Sequence, residues 1–315
     1  MRILFVKTSS LGDVIHHCPA VTDVLRRDPT AFVDWVVEEP FAEIAALHPG
    51  VRRVLPVAVR RWRSRMLSPA VWGEIAAFRR ALAEQAYDCV IDTQGLFKSA
   101  LISRWARGPR HGYAADSARE PWASRFYDVR HSVPRELHAV ERNRRLSAAA
   151  LGADLQGDCD YGLRAADALP FPMHKPYCVL LSMSSRADKL WPELHWAALA
   201  RALSARGLQP VLPWGSEEER ARCERIAQDA GGAFVPRRMR LGELAALLKR
   251  ARAVAGVDTG LAHLAVALGV PAVGIYCSTA PALTGLYGTT PLANVGDAAG
   301  VPAVDAVLGA LEAFL

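Results

Sequence analysis

The chain has 315 residues, 51% hydrophobic and 22% charged, with 20 Pro and 23 Gly, a soluble composition long enough for about two domains. Its six cysteines (18, 89, 159, 178, 223 and 277) contain no CxxC pair and no His/Cys cluster at zinc spacing, so reduced buried thiols are expected and a structural metal is not. The longest apolar run, LAVALGVPAVGIY at 264–276, is interrupted by Gly269 and Pro271 and is too short for a bilayer span; with no secretory signal in view, a cytoplasmic protein is expected.

In chain order, the first half offers β-rich runs at RILFVK (2–7), FVDWVVEE (32–39), RVLPV (53–57) and YDCVIDTQ (87–94). Helical patterns separate several of them: VIHHCPAVTDVLRR, FAEIAALH and WGEIAAFRRALAEQA. The stretch RGPRHGYAADSAREPWASRFY reads as ordered loop, and HAVERNRRLSAAALG (138–152) as a helix. A polar passage, LQGDCDYG, and the proline-rich LPFPMHKP then mark a linker. Beyond it the alternation restarts with YCVLLSMS, PELHWAALARALSARG, QPVLPWG, EEERARCERIAQDAG, AFVPR, LGELAALLKRAR, AVAGVD, GLAHLAVALG and AVGIY. Strands alternating with helices of this length imply parallel sheets covered on both faces. The expectation is two Rossmann-like domains, residues 1–165 and 166–315, with the active site in a cleft between them. The last helix, VDAVLGALEAFL, is left open to packing on either domain, including back on the first.

The net charge of +6 is unevenly placed. Residues 1–150 carry 23 basic and 16 acidic side chains, residues 151–315 carry 15 and 16, and part of the first-half excess lies in VRRWRSR (59–65). A polyanionic partner would account for this, whether nucleic acid, a phosphorylated lipid or an anionic membrane; so would a solvated basic surface. Aromatic and basic residues do not interleave as a base-stacking platform requires, so nucleic acid is not expected.

Four stretches fall at the carboxyl ends of expected parallel strands, where α/β proteins bind ligands. They are VKTSSLGDVI (6–15), SMSSRADKLWP (182–192), PWGSEEER (213–220) and GVDTGLAHLA (256–265). In the last, Thr259 and Gly260 open a helix whose positive end suits a diphosphate, and His263 follows one turn on. Asp258 as a plain helix cap and His263 as a packed core residue are the alternative. Ser184, Ser185 and Lys189 offer two hydroxyls and an ammonium for phosphate oxygens. In the first stretch Asp13 is either a helix cap or a proton acceptor. Neither a P-loop nor a G-x-G-x-x-G fingerprint occurs, which argues against nucleotide hydrolysis and dinucleotide redox chemistry. Group transfer from a nucleotide-linked donor fits better.

The strings MRILFVKTSSLGDVIHHCPAVTD, DWVVEE, RRWR, DTQGLFKSA, REPWASRFY, HAVERNR, DKLWPELHW, PWGSEEER and VDTGLAHLAVAL resemble the inverting glycosyltransferase family 9, and within it the lipopolysaccharide heptosyltransferases of type I. The resemblance covers almost the whole chain. DTGLAH alone marks the wider family, and the first-half strings are more specific. It implies a GT-B fold and transfer of L-glycero-D-manno-heptose from ADP-heptose to the inner Kdo of Kdo-lipid A. It also implies a peripheral position at an anionic inner membrane.

Residue by residue, the resemblance makes Asp13 the general base. Ser184, Ser185, Lys189, Asp258, Thr259, Gly260 and His263 become donor contacts, with Glu219 and Met239 at the ribose and adenine. The serines at 184 and 185 stand where threonines are commoner, which keeps the hydroxyls. The shorter PWG loop leaves the Glu219 match open among Glu217, Glu218 and Glu219. Acceptor contacts fall on Ser10, Gly12, Arg60, Arg61, Arg63, Lys98, Arg119, His138 and Arg142. No DxD-like carboxylate pair stands in these loops, so no obligatory metal or other cofactor is expected. A type II heptosyltransferase adding the next heptose and a nucleotide-sugar epimerase of similar architecture are the rival enzymes.

Overall fold

The computed structural model describes residues 1–155 and 157–315; Gln156, inside the polar passage LQGDCDYG, lies outside them. The chain divides into two compact units, Met1–Gly162 and Leu163–Leu315.

The first unit contains, in order, β1 (Arg2–Val6), α1 (Leu11–Ile15), α2 (Cys18–Arg27), β2 (Phe32–Glu38), α3 (Ala42–Ala46), β3 (Val51–Val57), α4 (Val59–Ser64), α5 (Pro69–Ala83), β4 (Cys89–Asp92), α6 (Phe97–Ser103), β5 (Arg110–Tyr113), β6 (Val129–His131) and α7 (Ala139–Ala150). Its six strands are parallel in the order β3-β2-β1-β4-β5-β6. That is the doubly wound order, with the chain starting in the middle and building outward both ways. Both faces are covered, so β1 is a continuous apolar run rather than an alternating one: Ile3, Leu4, Phe5 and Val6 are all fully buried.

Two departures from the sequence reading have local causes. VIHHCPAVTDVLRR is two helices, not one, because Pro19 sits in the first turn of α2 and lacks the N–H that a continuous helix would need there. The stretch read as loop, 107–127, holds β5 and a 3-10 helix at Pro121–Phe126, and β6 follows it. These strands are only four and three residues long and carry Arg, His and Gly, which leaves no periodicity to find. Within β5, Gly112 is required by packing: a Cβ there would lie 2.3 Å from the Tyr127 ring.

The second unit runs β7 (Tyr177–Leu181), α8 (Glu193–Ala205), β8 (Gln209–Val211), α9 (Glu217–Ala230), α10 (Leu241–Lys249), β9 (Ala253–Val257), α11 (Gly260–Ala267), β10 (Ala272–Tyr276), β11 (Leu292–Gly296) and α12 (Val304–Glu312). Its five strands are parallel in the order β11-β10-β9-β7-β8. AFVPR is not a strand; it contributes one bridge, Phe234 to Val211, and Pro236 cannot extend the ladder. β11 has a half-exposed edge and no apolar alternation, so the sequence concealed it. Val307 and Leu311 of α12 are buried in the second unit's own core with Trp191, Trp196 and Ile275.

Candidate active site

In a doubly wound sheet, ligands bind beyond the strand ends where the order reverses. In the first unit that point lies between β1 and β4, and in the second between β7 and β9. The loops leaving these four strands are 7–10, 93–96, 182–189 and 258–259, which include Ser10, Ser184, Ser185, Lys189, Asp258 and Thr259 among the sequence-predicted residues.

The loop after β1 is held from below. Gln94 Oε1 accepts from the backbone N–H of Thr8 and Ser9 at 3.0 and 3.1 Å. Asp92, fully buried, accepts from the Gln94 and Gly95 N–H groups at 2.8 and 3.3 Å and from the Tyr127 hydroxyl at 2.8 Å. Gly95 is needed here, since its φ of +66° completes that turn. Burial pushes the Asp92 carboxyl up, against the pull of these donors. The DTQG motif is thus a clamp that shapes the first loop.

Above this clamp Ser10 caps the five-residue α1, and Asp13 is its third residue rather than its cap. Asp13 Oδ2 accepts from the Ser10 N–H at 2.7 Å and from its hydroxyl at 3.4 Å. Among the described residues Oδ1 has no hydrogen bond, and the side chain is half-buried. Gly12, beside it, is half-buried too.

Charges converge beneath Asp13. Lys7, 5% exposed, donates to Thr93 O at 3.0 Å and to Asn143 Oδ1 at 3.3 Å. Burial lowers its pKa; Asp13 and Asp92 pull it back, and Arg142 and Arg119 push with burial. Arg142 lies 4.8 Å from the centre of the Tyr113 ring and donates to Ser117 O. His138 caps α7 through Nδ1, and its ring meets His16 edge-on at 5.4 Å. Lys98 donates to Ser9 Oγ at 3.2 Å. The structure therefore brings Asp13, Lys98, Arg119 and Arg142 to one rim, with Lys7 and Asp92 below them.

The basic helix α4 divides its residues. Trp62 is buried and donates to Glu74 Oε2 at 2.8 Å, which orients the helix. Arg61 is engaged by Glu39 (3.1 Å) and Glu74 (2.9 Å), so its charge is already paired. Arg60 lies 5.9 Å over the Phe41 ring, and Arg63 is exposed with no ion pair among the described residues. A third acid faces this group: Glu38, 1% exposed, with Oε1 lacking any partner among the described residues. Burial raises its pKa, while Lys98, Arg60 and a bond from the Arg60 backbone N–H favour its charge.

In the second unit the polar groups centre on Asp258, at the end of β9. Asp258 Oδ2 accepts from Lys189 Nζ at 2.6 Å and from Thr279 Oγ1 at 2.9 Å, and Ser184 Oγ donates to the Asp258 backbone oxygen at 3.2 Å. Thr259, not Asp258, is the N-cap of α11, and Gly260 is its first residue. Its contacts make Asp258 the anchor that holds Lys189 and Thr279 in place. Ser185 is exposed and His263 is buried in α11.

Further along, Ser216 caps α9 by accepting from the Glu219 N–H at 3.3 Å. Glu219 Oε2 in turn accepts from the Gly215 N–H at 2.7 Å. Of the three consecutive acids, Glu219 turns back over the PWG loop and is half-buried; Glu217 and Glu218 are exposed. Met239 is buried.

Sequence reasoning missed Lys7, Glu38, Asp92, Gln94 and Thr279. Thr279 carried a usable signal, since it follows β10, another parallel strand. The others lie inside apolar runs or in a motif quoted only for its resemblance. A cavity of about 770 Å³ between α2 and α7, lined by Asp23, Arg27, Ser147 and Leu151 among others, involves none of these groups. Among the described residues no three His, Cys, Asp or Glu side chains are placed to hold a metal, and no helix is long and apolar enough to cross a membrane.

Two doubly wound parallel sheets, each with its polar groups gathered beyond the reversal of strand order, define an α/β transferase of the GT-B class. The chain belongs to glycosyltransferase family 9 (heptosyltransferase), whose sequence model matches residues 75–301. It is 49% identical over 293 residues to lipopolysaccharide heptosyltransferase 1 of Pseudomonas aeruginosa, covering 91% of this chain and 82% of that one. The structure of Escherichia coli heptosyltransferase WaaC with ADP is 42% identical, with a TM-score of 0.93 over the whole of both chains. WaaC with ADP-2-deoxy-2-fluoro heptose matches with a TM-score of 0.88 at 40% identity, over 100% of this chain and 98% of that one.

Proposed function

We propose that this chain moves L-glycero-D-manno-heptose from ADP-heptose to the inner Kdo of Kdo-lipid A, by a single inverting displacement and without an obligatory metal. It would act as a peripheral protein at the cytoplasmic face of an anionic membrane. The observation that carries this reading is the 49% identity to a heptosyltransferase 1 across nine-tenths of the chain, which takes in the first unit as well as the second.

The geometry supports the chemistry. An acceptor hydroxyl attacks the anomeric carbon as the bond from that carbon to the β-phosphate oxygen breaks. The hydroxyl proton passes to Asp13, whose Oδ2 is held by Ser10 while Oδ1 is open to receive it. The oxygen leaving with ADP takes the electron pair. Its charge is met by the Lys189 ammonium, by the Ser184 and Ser185 hydroxyls, and by the first N–H groups of α11 at Thr259 and Gly260. Glu219 and Met239 serve the nucleoside end, with His263 beside the diphosphate. Acceptor carboxylates and phosphates are met by Arg60, Arg63, Lys98, Arg119, His138 and Arg142, with Ser10 and Gly12 bordering the sugar.

Incubation with ADP-heptose and Kdo-lipid A should give a product heavier by one heptose, in the presence of excess EDTA as in its absence. Reaction only with already heptosylated acceptor would indicate a type II enzyme, and donor consumed without acceptor an epimerase.

A further inference from the structure

We infer that the turn joining α4 to α5 is a docking surface for an anionic lipid bilayer, an inference that rests on the reading of the acceptor as lipid-borne. Three large apolar side chains stand out of this turn: Leu67 is fully exposed, Trp72 is 55% and Met66 48% exposed. They are not frayed core. The inward side of the same segment is filled by Trp62, Val71 and Phe78, all buried in the first unit's core. The turn is also ordered, because the Trp72 indole N–H donates to the Met66 carbonyl at 3.0 Å.

The charge beside the apolar tip is predominantly basic, and the acid Glu74, two residues past Trp72, is tied to Arg61 and Trp62. Between residues 58 and 73 the sequence has Arg60, Arg61, Arg63 and Arg65 and no acid. Arg61 is tied to Glu39 and Glu74, but Arg63 and Arg65 make no ion pair among the described residues and are exposed. Exposed Leu, Met and Trp flanked by unpaired arginines fit the boundary between headgroups and acyl chains. There the apolar tips enter hydrocarbon, the indole lies at the interface, and the guanidinium groups meet phosphates. A protein partner would not require the absence of acids, and an electrostatic surface for nucleic acid would not need a fully exposed leucine. Leu194 in the second unit is also strongly exposed, but it follows Glu193, which pairs with Arg222 and Arg225.

The test is sedimentation of the purified chain with lipid vesicles, with neither donor nor acceptor present. Binding to phosphatidylcholine vesicles containing phosphatidylglycerol is expected, much weaker binding to phosphatidylcholine alone, and a loss of binding as salt rises. Leu67→Ser should weaken partitioning about tenfold or more, and Arg65→Gln about fivefold; Leu194→Ser should leave it unchanged. Leu67→Ser and Trp72→Ser are surface changes that should keep native activity toward a deacylated, water-soluble acceptor while lowering it toward acceptor presented in vesicles. Vesicle binding that is absent, indifferent to anionic lipid, or untouched by Leu67→Ser overturns the inference. If vesicles bind as described but the heptose-transfer assay fails, the proposed reaction is wrong and the docking surface stands; the reverse pair of results removes the docking surface alone.

Discussion

The two units each place one acid at the end of a parallel strand among basic groups, and they treat it in opposite ways. Asp258 of the second unit is fully engaged, with Lys189 and Thr279 on its side chain and Ser184 on its backbone. Glu38 of the first unit is buried with one oxygen unpartnered among the described residues, beside Lys98 and Arg60. The second unit's groups form a compact cluster from three strand-end loops. The first unit's are spread over α1, α4, α6 and α7 and the 114–120 loop. A donor with a constant diphosphate suits the first arrangement. An acceptor with several separated anionic groups suits the second.

The largest effect should come from Asp13. Asn at this position can still accept from the Ser10 N–H, so Asp13→Asn keeps the turn of α1 while removing the proton acceptor. Turnover should fall by about a hundredfold to ten-thousandfold, with the melting temperature and ADP-heptose affinity nearly unchanged. Asp13→Ala should add a cost of about 0.5–1 kcal/mol in stability from the lost capping bond. If Asp13→Asn turns over at nearly the native rate, the residue is only a cap. Lys189→Met makes the opposite case in the second unit. A hydrogen bond to a charged group contributes about 1.5–3 kcal/mol, so kcat/KM for the donor should drop roughly tenfold to a hundredfold while acceptor KM holds. An equal rise in both KM values would break the division of labour between the units.

How far the sequence disclosed these features also differs between units. DTGLAH and SMSSRADK were legible because each places its polar residues in one short run after an apolar strand, where strand-end loops bind phosphates. Lys7 and Glu38 were not, because each is the polar end of a run that otherwise reads as buried strand, and only the tertiary packing shows which face they reach. Asp92 and Gln94 stood in a motif noticed for resemblance alone; Gln94 bonds to Thr8 and Ser9, 86 and 85 positions away, and Asp92 to Tyr127, 35 positions on, which spacing cannot reveal. β5, β6 and β11 were hidden for the plainer reason that three to five residues with mixed polarity carry no period.

Acid should separate the units by stability as well. Four histidines with lowered pKa values, His17, His48, His111 and His131, all belong to the first unit. His48 is the clearest. Its Nδ1 accepts from the Gly50 N–H at 3.1 Å, which makes the other nitrogen the donor to Thr22 Oγ1 at 3.0 Å. Protonation would break the first of these bonds; burial pushes the pKa down to about 4, against the pull of Asp160. The unfolded chain binds this proton near pH 6.5 and the folded chain only near 4, so the stabilisation is complete above 6.5 and is lost as pH falls through that window. The loss from this residue is about 3 kcal/mol. His48→Asn retains an acceptor for Gly50 without the titration. Its unfolding free energy should be flatter than the native curve between pH 6.5 and 4, and parallel curves would refute the assignment.

The smallest effect tests the contrast between the two acids directly. Glu38→Gln keeps the shape of the side chain and removes a charge that burial already disfavours. Oε1 has no partner to lose among the described residues, so any fall in stability should stay within the roughly 1 kcal/mol of the one bond it weakens. What it weakens is the bond from the Arg60 N–H at the start of α4 and the field that holds Lys98 and the Arg60 guanidinium near the strand end. A charged acceptor replaced by a neutral one loses about 1 kcal/mol, so acceptor KM should rise about fivefold, with donor KM and turnover at saturation unchanged. Glu38→Asp keeps the charge but shortens its reach to Arg60, and should recover part of the effect. A drop in stability without a change in acceptor KM would make Glu38 a structural acid like Asp92, and the first unit's rim would then owe its arrangement to the Gln94 clamp alone.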